Sequence, residues 1–364
     1  MKENQIGLII MQGAEELGRH VEDWLKQWLG VSSEELLIHH SCPRFTTGEG
    51  KAQLCQSVRG RDIYIVSDVT NYECSFLMRD RVTYMSPDEH YMDIKRVISA
   101  CGGKYSRLTV IMPYLYCGRQ DKRNGRESLD AALMLQELTA LGVDNIITVD
   151  AHNPCVENAV HNKGFDNIKP TYQMIKAVVR SGAIDMKNTV MVSPDEGAIK
   201  RNAAYARWLK IGLGLFYKIR DVDHISDGQN HILQHEYMGE SVEGKCILMA
   251  DDILATGNTL LSAAKYLKKL GAAHTSFIIS FPQFTGGLED FDKAYEEGVI
   301  HKVFGTNLIY RIPELMKREW YVDVDISKYL AYVILAIYEE TSIKRLMGPE
   351  KKIQQFLKSY YGEA

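Results

Sequence analysis

Short apolar runs alternate along the chain with segments in which apolar residues recur every three or four positions. The runs are typical of buried strands, and the recurring spacing is typical of amphipathic helices. The predicted strands are Ile63–Val66, Leu108–Met112, Asn145–Val149, Thr189–Val192, Leu213–Tyr217, Cys246–Ala250, Ser276–Ser280 and Trp320–Val324. The predicted helices are 14–29, 91–101, 127–141, 170–180, 197–209, 259–270 and 326–340. This alternation predicts an α/β fold whose mainly parallel sheets are flanked by helices.

A weak internal repeat suggests two related α/β halves. The predicted strand near Ile147 ends in Asp150-Ala151-His152, and the strand near Leu248 ends in Asp251-Asp252. Asn153-Pro154 and Gly164 interrupt the pattern between the halves. We therefore expect domains over 1–165 and 166–325, followed by a C-terminal helical segment, 326–364, that packs back on the N-terminal domain.

Composition narrows the class of protein. A chain of 364 residues is long enough for two domains, and its 45% hydrophobic and 25% charged residues are typical of a soluble globular protein. The net charge of −4 gives no reason to expect a nucleic-acid partner. The seven cysteines are scattered without a CxxC pair, which favours reduced thiols in a cytoplasm over a zinc site or a disulfide framework. The sequence shows no apolar run of a signal peptide and none that would span a membrane.

The most informative stretch runs from Ile247 to Leu260. An apolar strand leads into Asp251-Asp252, then into the small-residue loop Thr256–Thr259, and then into a helix that Gly271 ends. Backbone N–H groups at such a helix start, together with the helix dipole, favour a bound phosphate. Two carboxylates beside it point to sugar hydroxyls, a divalent cation, or both. The alternative is a solvated acidic turn.

A basic loop follows the strand that ends at Met112. Four cations fall within eight residues, and these are Arg119, Lys122, Arg123 and Arg126. Guanidinium groups match phosphate oxygens, so the loop suits a polyphosphate, and Gln120 could contact a base edge. We expect Ser128 or Glu127 to cap the helix that follows. The alternative is a solvated cluster neutralised by Asp121 and Glu127.

Other candidate side chains follow predicted strands. His152 and Asp195 stand at strand ends, where α/β folds build sites, although a structural histidine and a helix-capping aspartate are the simpler interpretations. Lys218 and Arg220 alternate along a strand end that leads into a long polar segment ending near Gly244. Two cations on such a segment suit a charged phosphoryl transition state, whereas the alternative is a solvated strand edge.

In their order along the chain, these stretches resemble the ribose-phosphate pyrophosphokinase (PRPP synthetase) family, a branch of the type I phosphoribosyltransferase fold. The resemblance covers about Arg44 to Leu346. It rests on Phe45-x-x-Gly48-Glu49, Gly118-Arg119-Gln120-Asp121, Asp150-x-His152, Val192-Ser193-Pro194-Asp195, Lys218-x-Arg220 and Asp251-Asp252 with Thr256-Gly257-x-Thr259. It implies two phosphoribosyltransferase-like domains, the first on the ATP side and the second on the ribose-5-phosphate side.

The resemblance also implies site residues, Mg²⁺ as cofactor and a homo-oligomer, a dimer or a hexamer. The expected ATP-binding residues are Phe45, Thr47, Gly48, Glu49, Arg119 and Gln120. The expected ribose-5-phosphate residues are Asp251, Asp252, Ala255, Thr256, Gly257, Asn258 and Thr259. His152 and Asp195 match the metal positions, Lys218 the catalytic lysine, and Arg220 its partner.

Three residues depart from the family pattern. Thr47 and Ala255 each replace an aspartate, and Asn258 replaces a glycine. We interpret Asn258 as a residue that tolerates a left-handed backbone better than most. Residues 72–91 also exceed the usual length. The resemblance implies transfer of the diphosphoryl group of Mg–ATP to ribose 5-phosphate, giving PRPP and AMP. A phosphoribosyltransferase that uses PRPP, and a non-catalytic regulatory homologue, are the alternatives.

Overall fold

The computed structural model describes residues 5–182, 184–226 and 229–362, without the side chains of residues 218–226, 229–235, 345 and 347. In chain order the strands are β1 (Ile6–Ile10), β2 (His40–Ser41), β3 (Gln53–Leu54), β4 (Asp62–Val66), β5 (Ser75–Met78), β6 (Arg81–Tyr84), β7 (Arg107–Ile111), β8 (Asn145–Val149), β9 (Gly164–Ile168), β10 (Thr189–Ser193), β11 (Gly212–Ser226), β12 (Gln229–Met238), β13 (Cys246–Leu254), β14 (His274–Pro282), β15 (Ile300–Thr306) and β16 (Tyr321–Val324).

The helices follow the sequence expectation closely wherever a helix was predicted. In chain order they are α1 (Glu15–Leu29), α2 (Ser33–Leu36), α3 (Pro87–Cys101), α4 (Asp130–Ala140), α5 (Thr171–Arg180), α6 (Ile199–Leu209), α7 (Asn258–Lys269), α8 (Glu289–Glu296), α9 (Ser327–Tyr338), α10 (Lys344–Met347) and α11 (Glu350–Tyr361). Local sequence explains several ends. Ser86 and Glu89 form a capping box before α3, and Gly30 ends α1 in a left-handed conformation.

Contacts divide the chain into two units. The first comprises Met1–Pro170, Asn307–Tyr310 and Asp325–Gly348, and the second comprises Thr171–Thr306, Arg311–Val324 and Pro349–Ala364. The chain therefore divides after Pro170, whereas the expected boundary follows residue 165. The expected C-terminal segment 326–364 is shared between the units, because α9 belongs to the first and α11 to the second.

The first unit contains a five-stranded, fully parallel sheet in the order β1-β4-β7-β8-β9. Strands β1, β4, β7 and β8 are almost entirely buried, as continuous apolar runs predict for a sheet covered on both faces, whereas the edge strand β9 is only partly buried. Two small antiparallel pairs, β2–β3 and β5–β6, stand apart from this sheet. Helix α9 lies against α1, where the Trp28 and Tyr332 rings stack with centroids 4.2 Å apart.

The second unit contains a seven-stranded sheet in the order β12-β11-β10-β13-β14-β15-β16. Every neighbouring pair is parallel except β11–β12. The polar segment after Tyr217 therefore continues as a strand and pairs antiparallel with β12, a second strand that the sequence analysis did not predict. The core of this unit is mainly aliphatic and includes the large buried aromatic side chains Phe277, Phe291 and Trp320.

Candidate active site

The strand order of the second unit creates a gap between two parallel strands. From β10 the chain adds β11 on one side, and it later adds β13, β14, β15 and β16 in turn on the other. Ligands in open α/β sheets bind at the carboxyl ends of the strands beside such a reversal of order. Pairing between β10 and β13 stops at Met191 and Leu248, well before β13 ends at Leu254. Strands β10 and β13 are thus not paired with each other at their carboxyl ends, although each stays paired with its outer neighbour.

Asp251 and Asp252 lie at this gap, within β13 and not after it as the sequence suggests. Asp251 pairs with Ile279 of β14, and the Asp252 N–H donates to Asp251 Oδ1 at 2.9 Å. Burial and the neighbouring Asp252 carboxylate raise the pKa of Asp251 to about 8. Burial and the adjacent carboxylate thus favour the protonated form of Asp251 over the ionised form.

Helix α6 supplies two residues that the sequence analysis did not assign. Asn202 is fully buried, accepts a hydrogen bond from the Ala250 N–H and donates one to the Ala250 carbonyl, both at 2.8 Å. Its carboxamide thus satisfies the β13 backbone where pairing with β10 has ended. Arg201 Nη2 lies 3.9 Å from Asp252 Oδ1 and lowers the pKa of Asp251. Neither role is visible in sequence, since each depends on a tertiary contact.

The loop Ala255–Thr259 joins β13 to α7. Gly257 has φ 78°, and a side chain there would overlap the Phe291 ring, so both backbone and space require glycine. Thr285 N–H donates to the Ala255 carbonyl at 3.0 Å, and Gly286 packs against Thr256. Thr256 and Asn258 are exposed at the helix start, as a phosphate loop requires.

The backbone conformation of Asn258 differs from the left-handed one that the sequence interpretation expects. Asn258 is the first residue of α7 and is not among the residues with positive φ. The left-handed residue of the loop is Gly257. The replacement of glycine by Asn258 therefore places no left-handed side chain in the loop.

Asp195 follows the carboxyl end of β10. Its Oδ1 accepts the Ala198 N–H at 3.1 Å in the turn before α6, so Asp195 fixes this turn, whereas the N-cap residue Ala198 makes no side-chain cap. Asp195 also raises the pKa of Asp251, which places its charge close to the acidic pair. Among the described side chains, Asp195, Asp251 and Asp252 thus place three carboxyl groups near the Arg201 guanidinium. This donor set is of the type that Mg²⁺ prefers.

A ready-made metal cage is absent from the part of the chain that the structure describes. No group of three or more His, Cys, Asp or Glu side chains there is arranged to hold an ion. Mg²⁺ characteristically uses one or two carboxylates and fills its remaining positions with water and substrate phosphates. Asp195 and the acidic pair therefore fit Mg²⁺ bound together with substrate. His152 belongs to the first unit, where its side chain is exposed.

Lys218 and Arg220 lie in β11, which continues past the expected strand end at Tyr217. Their backbones are in register with His235 and Ile232 of β12. Their side chains lie outside the described part of the structure, so the expected cationic pair stays a prediction.

In the first unit, residues 44–50 form a tight turn. The Phe45 N–H donates to the Glu49 carbonyl, and the Gly48 N–H donates to the Phe45 carbonyl, both at 2.8 Å. Thr47 Oγ1 donates to Glu49 Oε2 at 3.0 Å, so the residue that replaces the family aspartate is bonded within the turn. The Phe45 ring is 54% exposed, which leaves it available for stacking on a base.

The base of this turn is anchored by Arg44. Its guanidinium pairs with the buried Asp93 at 2.8 Å and lies 4.9 Å from the Phe76 ring of β5. A Cβ built on Gly48 would lie 2.7 Å from Met78 Sδ, and Gly48 itself has φ 96°. The β5–β6 hairpin thus packs against the turn, a contact that the sequence analysis did not predict.

The basic loop and His152 occupy neighbouring strand ends of the first unit. The loop follows β7, His152 follows β8, and Asn153 donates a hydrogen bond to Asp121. Gln120 Nε2 donates to the carbonyls of Lys122 and Ser128, at 3.1 and 3.0 Å, so only its oxygen is left for a base. Helix α4 begins at Asp130 without a side-chain cap, which corrects the expected capping by Ser128 or Glu127.

Comparison with known proteins agrees with this geometry. The model of the N-terminal domain of ribose phosphate pyrophosphokinase matches residues 6–142, and the phosphoribosyl transferase domain model matches residues 171–307. Together they cover about three quarters of the chain. The chain belongs to the ribose-phosphate pyrophosphokinase family. The two models match in the order that the sequence motifs predict.

Relatives span nearly the whole chain. A ribose-phosphate pyrophosphokinase of Staphylococcus saprophyticus is 25% identical over 95% of this chain and 98% of its own length. One of Vibrio parahaemolyticus is 28% identical over 92% and 96%. The crystal structure of the Mycobacterium smegmatis phosphoribosylpyrophosphate synthetase superposes with a TM-score of 0.75, covering 92% of this chain and 99% of that one at 21% identity. The pyrophosphokinase fold is therefore established for this member.

Proposed function

We propose that this pyrophosphokinase-family chain transfers the diphosphoryl group of Mg–ATP to the anomeric hydroxyl of ribose 5-phosphate, giving PRPP and AMP. The observation that carries the proposal is that one chain holds both halves. The second unit has the acidic pair and phosphate loop at its sheet reversal, and the first unit matches the pyrophosphokinase N-terminal domain. A phosphoribosyltransferase needs the acidic pair and the phosphate loop, but that activity does not explain the match to the pyrophosphokinase N-terminal domain.

Each group of residues has a chemical task in this reaction. The Ala255–Thr259 loop holds the 5-phosphate, and Asp251 and Asp252 hold ribose hydroxyls. Phe45, Thr47, Gly48, Glu49, Arg119 and Gln120 hold the nucleotide. The anomeric oxygen attacks the β-phosphorus of ATP, the bond to the α-phosphate oxygen breaks, and AMP leaves. Such a reaction needs alignment and neutralisation of charge more than covalent help from the protein.

We propose that Asp195 and His152 hold Mg²⁺, directly or through water. The bound ion neutralises charge on the phosphate oxygens. Lys218 and Arg220 stabilise the negative charge of the transferring diphosphoryl group. Removal of one such donor typically lowers the reaction rate by about 10²–10³-fold.

Phosphorus NMR of a mixture of protein, MgCl₂, ATP and ribose 5-phosphate tests the proposal. We expect the β- and γ-phosphorus signals of ATP to be replaced by the diphosphate signals of PRPP, together with AMP. Release of diphosphate that depends on PRPP and a free base would favour the phosphoribosyltransferase alternative. No turnover by the folded protein alone, together with a changed rate of an active family member when the two are mixed, would favour the regulatory homologue, to which Thr47 and Ala255 point.

The Lys218→Ala variant tests the catalytic assignment. We expect AMP formation to fall by at least about 10²-fold with the far-UV circular dichroism unchanged. Lys265→Ala, on the exposed face of α7, is the matched control and should keep full activity. AMP formation by Lys218→Ala at a rate near that of the parent would remove Lys218 from the mechanism.

We further propose that the chain works in the cytoplasm as a homo-oligomer. All seven cysteines are free thiols, as a reducing compartment favours. No helix in the described residues is long and apolar enough to cross a membrane. Sedimentation velocity distinguishes a dimer or hexamer from a monomer.

A further inference from the structure

A cavity lies in the second unit at the amino ends of the sheet strands, whereas the phosphate loop lies at their carboxyl ends. Its volume is about 460 Å³, within the usual range for small-molecule sites. Residues at the amino ends of the strands line it, among them Val190 of β10 and Gly212 of β11. Lys245, which also lines it, directly precedes β13, whereas the phosphate loop begins after Leu254. Nine strand residues at about 3.3 Å each separate the two places by roughly 30 Å.

The roof of the cavity is one face of the C-terminal helix α11. Gln354, Leu357, Lys358 and Tyr361 line it, and their spacing of three and four residues places them on a single helical face. Other contacts fix the helix in place. Ile353 is fully buried, Gln354 donates to the Trp208 carbonyl at 3.2 Å, and the Phe356 ring meets Tyr172 of α5. The cavity is therefore a built feature of the second unit.

The lining combines an apolar interior with a cationic rim. Val190, Leu209, Ile211, Leu357 and the Tyr361 ring supply the apolar part. Lys187, Lys210, Lys245 and Lys358 supply four ammonium groups. Glu240 pairs with Lys245 at 2.9 Å, and Asp185 lies near Tyr361. In the part of the chain that the structure describes, Lys187, Lys210 and Lys358 have no carboxylate partner. A negatively charged ligand in the cavity would give these ammonium groups an ion-pair partner.

We propose that this cavity is a binding site for a small organic phosphate with a flat apolar body, separate from the sites for ATP and ribose 5-phosphate. The apolar wall takes the body of the ligand, and the lysine rim takes its phosphate. Lysine suits this task because it acts as a point charge on a flexible stem and does not impose the geometry of a guanidinium fork. The proposal stands whether or not the chain makes PRPP.

Isothermal titration calorimetry with 2-naphthyl phosphate as the probe tests the site. Saturating ribose 5-phosphate is present throughout, so that the phosphate loop is occupied. We expect 2-naphthyl phosphate to bind at least tenfold more tightly than inorganic phosphate or 2-naphthylmethanol, because only the complete probe uses both wall and rim. Equal affinity for inorganic phosphate and 2-naphthyl phosphate would overturn the proposal, and so would no detectable binding of the latter.

Variants locate the binding. Combined Lys187→Gln, Lys210→Gln and Lys358→Gln should weaken it by about tenfold or more, since exposed ion pairs each contribute a little. Lys265→Gln, Lys269→Gln and Lys351→Gln remove the same charge from exposed positions that do not line the cavity, and should leave the dissociation constant within about twofold. Leu357→Trp should fill the cavity and abolish binding, with helix content checked by circular dichroism. An unchanged dissociation constant in both the lysine triple variant and Leu357→Trp would place the probe elsewhere and refute the site.

Discussion

Asp251 combines a role in the proposed chemistry with an unfavourable environment. Burial and the neighbouring Asp252 raise its pKa from 3.8 to about 8. The folded chain therefore binds this proton more tightly than the unfolded chain between those two pH values. Stability falls as the pH rises through that window, because the unfolded chain releases the proton first. Arg201, at 3.9 Å from Asp252, offsets only part of the repulsion.

Asp251→Asn should therefore stabilise the protein at high pH and impair its proposed reaction. We expect the melting temperature at pH 8.5 to rise by about 2–4 °C, with a much smaller change at pH 5. The KM for ribose 5-phosphate should rise by about tenfold, since an amide NH₂ group replaces one carboxyl oxygen and cannot accept a hydrogen bond from a sugar hydroxyl. Differential scanning calorimetry at the two pH values and initial rates measure these changes.

Glu243→Gln, an exposed carboxylate of the same unit, is the control and should show neither effect. The same rise in melting temperature for Asp251→Asn at pH 5 and pH 8.5 would contradict the pKa argument. An unchanged KM would contradict the assignment of Asp251 to the sugar.

At the residue scale, the sequence singled out the acidic pair and the loop after β13, because both are local in sequence, and it did not predict their tertiary contacts. Arg201 and Asn202 were missed because each acts on a strand about 50 residues away, at Asp252 and Ala250. No local pattern distinguishes a helix side chain that faces the end of a strand from one that faces solvent.

Among the elements, periodicity predicted seven helices and eight strands, and it missed strands β1, β9 and β15, helices α2 and α8, and the hairpins. Strand β11 continues through Ser226 although its second half carries charged and polar residues, because β12 pairs with it. The β5–β6 hairpin turns at Arg79-Asp80, both with positive φ. A two-residue hairpin turn with positive φ is usually signalled by Asn-Gly or Asp-Gly, and this sequence lacks that signal.

The β5–β6 hairpin should hold the proposed nucleotide turn in its binding shape. Phe76 and Met78 face Arg44 and Gly48, whereas Leu77 and Val82, 65% and 62% exposed, form its outer face. We expect combined Phe76→Ala and Met78→Ala to raise the KM for ATP by about tenfold, because the freed turn must be ordered again on binding. The KM for ribose 5-phosphate should not change. Steady-state rates measured against each substrate provide the test.

The combined variant Leu77→Ala and Val82→Ala, on the outer face of the same hairpin, is the matched control. It should leave both KM values unchanged. An inner-face variant with the parental KM for ATP would show that the hairpin does not support the turn. A rise in both KM values would indicate a general loss of structure.

Across the whole molecule, the alternation of strands and helices predicted the correct fold class. It did not predict that the C-terminal helices belong to two different units. Residues after 326 read as one helical segment, yet α9 stacks on α1 of the first unit and α11 packs on α5 of the second. Both helices are amphipathic, and amphipathicity indicates that a face is buried without indicating against which partner. The same limit explains why the cavity beneath α11 has no signature in sequence.

Because the proposed binding residues of the two substrates lie in different units, each substrate should protect backbone amides of a different unit from hydrogen exchange. Ligands stabilise the state that binds them, by about 2.7 kcal/mol at a hundredfold excess over the dissociation constant. Ribose 5-phosphate should therefore slow amide hydrogen exchange in 250–260 of the second unit. A non-hydrolysable ATP analogue with Mg²⁺ should slow exchange in 44–50 and 118–123 of the first. Exchange followed by mass spectrometry resolves these peptides, and 350–361 should stay unaffected by either ligand, because α11 belongs to the proposed separate site. Protection of 250–260 by the ATP analogue alone, or of 44–50 by ribose 5-phosphate alone, would reverse the assignment of substrates to units.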